Sequence, residues 1–369
     1  MKIMVWHLGR KGAGPKYNFE MAMALQNEGH EVHACISEQA ENYQDYIKNG
    51  IKVVSFNTYN GSISALLSIL RLPFIIKVFT AYIHSHNIKN IYCTMPHIWN
   101  CFISSRFAET KINYLLTIHD ATQHQGEENV ILNWLMNRDR RNADGIVVLT
   151  EHVKELLKNE NKPIYVIPHP AFSFGDGKVT PKKINNKTIK LIFFGRIHPY
   201  KGLDILIDAY QSLCKKNDRF SLSIYGAGDM TPYNKEIITL PRVNVHNRWI
   251  QDSEIDLIMK NHDICVIPYR DASQSGVIPT ALACGLPVVA TPVAGLKEQI
   301  ENGKTGLFAD NITSKALLEA IENLANNQSL YEYISSNAIL YAKNEMGWDR
   351  AAKSSIKAFE ELASRPSHG

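Results

Sequence analysis

Short runs of apolar residues alternate, along the first half of the chain, with longer stretches in which apolar residues recur at helical spacing. Short runs flanked by turn residues predict strands, and amphipathic helices are predicted at 18–28 and 151–159. Strands that alternate with helices form a mostly parallel sheet covered on both faces. The predicted strands of this half are 2–8, 31–36, 51–56, 90–94, 114–118, 145–149 and 164–167.

A polar stretch, 175–187, separates this half from a second one and predicts a linker. The alternation then resumes, with strands predicted at 189–195, 220–225, 243–245, 264–267 and 287–291. We therefore predict the α/β class, with two Rossmann-like, doubly wound domains that face each other across a cleft. The predicted parts are an N-terminal domain at 1–174, the linker at 175–187, a C-terminal domain at 188–345, and a terminal helix within 346–369 that packs back toward the N-terminal domain.

Composition narrows the class of protein. Of the 369 residues, 45% are hydrophobic and 21% charged, which is typical of a soluble globular chain long enough for two domains. The net charge of +4 permits anionic ligands or an anionic membrane surface but does not favour nucleic acid. The six cysteines are scattered, without metal-ligand spacing, and the apolar run at the start is too short for a signal peptide. A cytoplasmic protein is predicted.

One segment carries a candidate phosphate site. Residues 269–308 read YRDASQSGVIPTALACGLPVVATPVAGLKEQIENGKTGLF. Because proline is tolerated only in the first turn of a helix, Pro279 predicts a helix that begins near Val277. The backbone amides of Ser275, Gly276 and Val277 would then point outward, where they suit a phosphate or diphosphate. The alternative is an ordinary loop, helix and strand without a ligand.

Other polar clusters follow predicted strands, at the edge of a parallel sheet where ligands collect. Arg196 and Lys201 come directly after a strand, and such a pair could hold a diphosphate and neutralise it as it leaves. Otherwise they form a solvated surface pair. His119 and Asp120 end another strand and could accept the proton of an attacking hydroxyl. Their alternative is a structural role.

Several motifs, taken together, resemble one family. GRIHPYKG, IYGAGD, ADGIVVLTEHVKELL and the pair ACGLPVVAT and AGLKEQIENGKTGLF are similar to motifs of the retaining glycosyltransferases of family four, which have the two-Rossmann-domain (GT-B) architecture. The resemblance implies a nucleotide-sugar donor, a UDP- or GDP-sugar, held mainly by the C-terminal domain. It also implies an acceptor held by the N-terminal domain, and no metal or other cofactor.

The resemblance also implies roles for single residues. Arg196 and Lys201 would contact the diphosphate and act in catalysis, and His119 and Asp120 would touch the donor sugar or serve as the base. The donor-binding residues implied are Gly12, Gly14, Gly226, Ile250, Ser275, Gly276, Val277 and Thr280. Ile250 belongs to the region that would hold the base, and Gly12, Gly14 and Gly226 would allow close approach of the donor.

The chain departs from the family at two glutamates spaced E-x7-E. Ala272 and Thr280 stand in their places, which resembles a subgroup of polysaccharide-assembly transferases with a QSGV-type loop. Thr280 could donate its hydroxyl to ribose or could merely pack in a helix. Asp271, one position from Ala272, is a possible sugar contact. His124 is another, since the loop LLTIHDATQHQGE resembles the same subgroup.

An apolar segment at 63–83 has nearly the length of a membrane span, but Pro73, Arg71 and Lys77 interrupt it. It is predicted to be a buried helix, or an apolar and basic face that rests on the inner membrane. We predict transfer of a sugar to a growing, lipid-linked bacterial surface glycan. The alternatives are a nucleotide-sugar epimerase and a non-catalytic nucleotide-sugar binding protein. A dinucleotide oxidoreductase is not favoured, because residues 9–14 do not fit GxGxxG.

Overall fold

The computed structural model describes residues 1–59, 69–107, 110–121, 129–175, 177–184 and 188–365. These residues form two compact units. The first contains the described residues up to Pro168 and those from Trp348 onward, and the second contains those from His169 to Gly347. His124 and residues 63–68 of the apolar segment lie outside the described residues.

In the described part of the first unit, seven parallel strands form one sheet in the order β3-β2-β1-β4-β5-β6-β7. Every residue of β4 and β6 is buried, as expected for central strands with helices on both faces. Trp6 of β1 fills the core beside Phe79, Phe107 and Tyr114. The strands are β1 Lys2–His7, β2 Glu31–Ser37, β3 Lys52–Phe56, β4 Asn90–Cys93, β5 Asn113–Ile118, β6 Gly145–Val148 and β7 Ile164–Val166.

The helices of the first unit include one from the end of the chain. Trp348–Ser364 packs on Ala13–Asn27, where the rings of Trp348 and Tyr17 lie 5.0 Å apart. The apolar segment becomes the helix Leu72–His86, which begins one residue before Pro73 and so keeps the proline in its first turn. The other helices here are Tyr43–Lys48, Asn100–Ser104, Val130–Asn142 and Glu151–Leu156.

The second unit has a parallel sheet of six described strands in the order β10-β9-β8-β11-β12-β13. The strands are β8 Ile189–Phe194, β9 Phe220–Tyr225, β10 Val243–His246, β11 Ile264–Ile267, β12 Val288–Ala290 and β13 Gly306–Phe308. The helices are Leu203–Lys216, Asn234–Ile237, Asp252–Lys260, Val277–Ala283, Ser314–Asn326 and Gln328–Glu345. Two parallel, helix-covered sheets confirm the predicted α/β class with two Rossmann-like domains.

The predicted linker is held against the second unit. The Lys182 ammonium donates to the carbonyls of Met259, Lys260 and His262 at 3.2, 2.7 and 2.8 Å, which completes the end of the helix Asp252–Lys260. Upstream, the Ala171 N–H donates to the Met346 carbonyl at 2.8 Å. These bonds explain why the second unit begins at His169, earlier than the predicted boundary at 174.

Candidate functional site

The loop after β8 holds Lys201 against an aromatic ring. The Lys201 ammonium donates to the Tyr269 hydroxyl at 2.7 Å and lies 4.0 Å from the centre of that ring. Lys201 ends a single 3₁₀ turn, Pro199–Lys201, which Gly202 terminates with a φ of 64°. A side chain on Gly202 would place its Cβ 2.0 Å from the Pro268 carbonyl oxygen. The glycine therefore lets this loop touch the loop that carries Tyr269.

Arg196 is exposed at the end of the same strand and acts electrostatically on Tyr269. Burial raises the pKa of the Tyr269 hydroxyl far above its ordinary value, whereas a hydrogen bond with Ser275 and the charge of Arg196 oppose that rise. The hydroxyl therefore stays protonated at neutral pH. The structure thus brings Arg196, Lys201 and Ser275 together around Tyr269, a residue that the sequence analysis missed.

The backbone of the Ser275 loop is fixed by Gln299. The Ser275 N–H donates to Gln299 Oε1 at 2.7 Å, and Gln299 Nε2 donates back to the Ser275 carbonyl at 2.9 Å. The Val277 N–H donates to Ser275 Oγ at 3.2 Å. The expectation that the amides of Ser275 and Val277 point outward for a ligand is therefore wrong, because both are engaged within the loop. The helix does begin at Val277, as Pro279 predicted.

Thr280 is buried one turn into this helix, and its hydroxyl donates to the Gly276 carbonyl at 2.9 Å. Only acceptor lone pairs remain on that hydroxyl, so it has no hydrogen left to donate to a ribose. Ile250 is also buried, in the apolar core beneath the sheet, while its neighbour Trp249 is 46% exposed. Ala272 is buried, and Asp271 is exposed.

Asp271 lines a groove of about 540 Å³. Arg270 crosses this groove and pairs through two bonds with the Asp204 carboxylate. The remaining wall combines aromatic, acidic and aliphatic residues, namely Tyr200, Tyr233, Asp208, Glu236, Pro199, Ile207 and Pro232.

Gly226 lets two loops of the second unit approach each other. Its φ is 146°, and an added Cβ would lie 1.9 Å from the carbonyl oxygen of Gly195. Two residues further on, Gly228 has the same relationship to the carbonyl of Ile197. Packing of the loops after β8 and β9 is therefore sufficient to require glycine at 226, independently of any donor.

Histidines gather at the carboxyl edge of the first sheet. His7 ends β1, and its Nδ1–H donates to the Met95 carbonyl at 3.0 Å. A Cβ on Gly14 would lie 2.4 Å from His7 Nε2, so this glycine makes room for the imidazole. Gly14 lies inside the helix Ala13–Asn27 rather than in the predicted loop. Gly12 has a φ of 90°, and its N–H donates to Glu41 Oε1 at 2.8 Å.

His119 is held by one ring nitrogen. Nε2 lies 3.0 Å from the Thr94 carbonyl, and the ring packs edge-on against Tyr17. Burial lowers the pKa of His119, so its imidazole is neutral, its Nε2 carries the proton and its Nδ1 carries the lone pair. Asp120 is exposed beside it. Among the described residues, no cluster of histidine, cysteine, aspartate or glutamate is arranged to hold a metal ion.

The rule that ligands collect at the carboxyl ends of parallel strands could have found one more residue of this site. Tyr269, like Arg196, follows a central strand after one intervening residue. No pattern in the sequence pointed to Gln299, because it lies 24 residues from its partner Ser275 in the chain.

Comparisons with known proteins agree with this organisation. The model of glycosyltransferase family 4 matches residues 15–171, and the model of glycosyl transferases group 1 matches residues 188–327. An uncharacterised glycosyltransferase of Methanocaldococcus jannaschii is 26% identical over 68% of this chain and 69% of its own. D-inositol 3-phosphate glycosyltransferase of Paenarthrobacter aurescens is 29% identical over 47% of this chain and 44% of its own. For several of these relatives the match therefore spans about half of their length.

Solved structures resemble the whole chain. Sucrose-phosphate synthase from Thermosynechococcus elongatus has a TM-score of 0.77 at 16% identity and covers 98% of each chain. HepE from Anabaena, solved with UDP-glucose, has a TM-score of 0.74 at 17% identity and covers 98% of this chain and 100% of its own. The chain resembles family 4 glycosyltransferases at residues 15–171 and group 1 glycosyl transferases at residues 188–327, and it has the GT-B fold. The QSGV-type subgroup and the surface-polysaccharide role remain predictions.

Proposed function

We propose that the protein transfers a sugar from a nucleoside-diphosphate sugar to a hydroxyl of an acceptor glycan. The observation that carries this proposal is the convergence of Lys201, Arg196 and Ser275 on the buried hydroxyl of Tyr269. Two cations suit a diphosphate, whose negative charge grows as it departs. The same groups would serve without a metal ion, and metal independence stays a prediction.

The reaction forms a bond between the anomeric carbon and the acceptor oxygen and breaks the bond from that carbon to the diphosphate. The acceptor proton needs a base, and the proposed group is the lone pair on Nδ1 of His119, with Asp120 beside it. Retention of the anomeric configuration is part of the proposal. UDP is the favoured carrier, because HepE was solved with UDP and with UDP-glucose, and TarM of S. aureus with UDP.

A thermal-shift panel of nucleoside diphosphates and nucleotide sugars tests the donor site. UDP is expected to raise the melting temperature of the native protein, and Arg196→Ala and Lys201→Ala are expected to abolish that shift. Lys215→Ala, an exposed lysine of the helix Leu203–Lys216, is the matched control and should keep it. Equal shifts in all three variants would place the nucleotide elsewhere.

A lipid-linked acceptor and contact with the cytoplasmic face of the inner membrane are also proposed. Large apolar side chains that are 50–86% exposed occur in two stretches of the first unit, namely Leu70 and Phe74 in one and Val130, Ile131 and Trp134 in the other. They lie at the starts of two helices that both pack on Asn100–Ser104. Exposed cations, Arg71, Lys77 and Arg141, accompany them, which is the composition that binds anionic lipid. None of the helices described is long and apolar enough to cross a bilayer.

Co-sedimentation with vesicles tests the membrane contact. The native protein is expected to pellet with phosphatidylglycerol vesicles, and the double variant Ile131→Ser, Trp134→Ser is expected to remain in the supernatant. The control replaces Ile47 and Leu156, which are 50 and 51% exposed elsewhere on the same unit. Loss of binding in both double variants would show that vesicle binding does not depend specifically on Ile131 and Trp134.

Two other functions are distinguished by product analysis. A candidate UDP-N-acetylglucosamine 2-epimerase from Listeria monocytogenes has a TM-score of 0.65 with this chain, which favours the epimerase alternative at the level of fold. An epimerase would release an isomerised sugar nucleotide without any acceptor. A binding protein would retain the nucleotide shift but neither transfer nor hydrolyse the donor.

A further inference from the structure

Four side chains of the first unit form a second cluster, at the carboxyl edge of the first sheet. Arg10 follows β1, Tyr59 follows β3, and His97 and Trp99 follow β4. The rings of Tyr59 and His97 stack with centres 5.7 Å apart, and Trp99 meets both edge-on. The guanidinium carbon of Arg10 lies 5.4 Å from the centre of the Tyr59 ring. We call these four residues the Arg10 cluster.

The hydrogen bonds of His97 determine which group is the donor between His97 and the Tyr59 hydroxyl. The backbone N–H of Trp99 donates to His97 Nδ1 at 3.3 Å, so that nitrogen carries no proton. Burial, with the charges of His7 and Arg10, lowers the pKa of His97 to about 3, which keeps the ring neutral. The proton must therefore sit on Nε2, which donates to the Tyr59 oxygen at 3.2 Å. The hydrogen of the Tyr59 hydroxyl remains for another acceptor.

The cluster consequently presents donors. Arg10 and Tyr59 are partly exposed residues, and they contribute a guanidinium and a hydroxyl hydrogen. Trp99 contributes an indole N–H that is buried without a hydrogen-bond partner in the part of the chain that the structure describes. The neighbouring carboxylate of Glu41 accepts from the Gly12 N–H. A guanidinium beside neutral donors favours an oxyanion, because charge-assisted hydrogen bonds are the strong ones.

We propose that the Arg10 cluster binds an anionic group of the acceptor, a carboxylate or a phosphate carried on a sugar. This inference rests on the proposed function, since it concerns the substrate that receives the sugar. Arg10 and Tyr59 contact the anion, and His97 is a positioning residue that acts through the Tyr59 hydroxyl.

Binding of three small sugars to the full-length protein tests the proposal. Methyl β-glucoside is neutral, methyl β-glucuronoside carries a carboxylate, and glucose 6-phosphate carries a phosphate. Dissociation constants are measured by NMR titration with saturating UDP present, and again in the Arg196→Ala, Lys201→Ala double variant, so that the donor site does not bind the phosphate. At least one charged sugar should bind about tenfold more tightly than the neutral one. The two charged sugars decide between carboxylate and phosphate.

Three variants locate the binding. Arg10→Met removes the charge and Tyr59→Phe removes only the hydroxyl, and each should weaken the charged sugar about tenfold while leaving the neutral one unchanged. Lys11→Met is the control, because it removes an exposed cation from the same loop. Equal binding of charged and neutral sugars, no binding of any of the three, or unchanged binding in Arg10→Met and Tyr59→Phe would each overturn the proposal.

Two further measurements test the role of His97 and the independence of the Arg10 cluster from the donor site. The ¹⁵N chemical shifts of His97 should report a proton on Nε2, and a proton on Nδ1 would contradict its positioning role. The nucleotide thermal shift should be unchanged in Arg10→Met and Tyr59→Phe. A missing shift in the native protein would refute the donor proposal, whereas the comparison of charged and neutral sugars would still decide this one.

Discussion

The ammonium group of Lys201 and the hydroxyl of Tyr269 are joined by a hydrogen bond of 2.7 Å, and the ammonium also sits over the same ring. Lysine side chains are long and lose considerable entropy when they are fixed. Tyr269 is 1% exposed, so it offers a rigid support. The support fixes the charge before any nucleotide arrives, which lowers the entropic cost of binding.

Replacing Tyr269 by phenylalanine should weaken UDP binding about 3- to 10-fold, because the ring stays while Lys201 loses its acceptor. Calorimetric titration of UDP measures the effect. Tyr333→Phe is the control, since Tyr333 is 52% exposed in the same unit. Native affinity in Tyr269→Phe would show that the hydroxyl does not position Lys201.

Gly226→Ala should destabilise the second unit more than Gly303→Ala does. Both glycines have a positive φ, 146° and 76°, but only the Cβ at 226 would meet a backbone oxygen, 1.9 Å away. Gly303→Ala should cost about 1–2 kcal/mol from backbone strain alone. Gly226→Ala should cost at least about twice that, measured by chemical denaturation. Equal costs would mean that the two loops separate easily.

Gln299→Leu should both destabilise the second unit and weaken UDP binding. The change leaves the buried N–H and carbonyl of Ser275 without partners, at about 1–3 kcal/mol for each group. Denaturation and UDP titration are measured together, with Gln211→Leu on an exposed helix face as the control. A variant that is less stable but binds UDP normally would remove the Ser275 loop from the donor site.

Lowering the pH should reduce the free energy of unfolding through the buried His7. Burial lowers the pKa of His7 from 6.5 to about 4 in the folded protein. The stability that depends on neutral His7 is therefore present above pH 6.5 and is lost as the pH falls toward 4. Relative to His7→Asn, which keeps a donor for Met95, the native protein should lose on the order of 3 kcal/mol between pH 7 and 4. A difference that does not change with pH would contradict this.

The contribution of Asp139 to stability should change with pH in the opposite direction. Burial raises its pKa from 3.8 to about 6, although Ser104 and Tyr114 donate to its carboxylate. Its contribution to stability is present below pH 3.8 and is lost as the pH rises through 6. Relative to Asp139→Asn, the native protein should gain on the order of 3 kcal/mol from pH 7 to 4. A loss over that range would refute the assignment.

Much of the fold could be predicted because buried parallel strands appear as continuous apolar runs. The runs at 90–94, 145–149 and 264–267 became β4, β6 and β11 with ends shifted by at most one residue. Helix starts were harder to predict. The helix Ala13–Asn27 begins five residues before its prediction, because Gly14 and Pro15 are tolerated in a first turn. The helix Val130–Asn142 was missed, since its apolar residues are exposed and follow no buried stripe.

The candidate site was predictable only in part. Arg196, Lys201 and His119 were predicted because each follows a strand. Topology alone places such residues at the carboxyl edge of their own sheet. Hydrogen bonds inside loops were not predictable, because they depend on tertiary partners. Gln299 occupies the Ser275 amide from a distant turn, and Thr280 turns its hydroxyl to the backbone.

The packing of Trp348–Ser364 on Ala13–Asn27 has a consequence for biosynthesis. The first unit lacks one of its helices until the ribosome has translated residue 364, whereas the second unit is encoded almost without interruption before that point. We expect the second unit to acquire protease resistance first on nascent chains that are stalled before residue 348, and the first unit to acquire it only once residues 348–364 have left the ribosome.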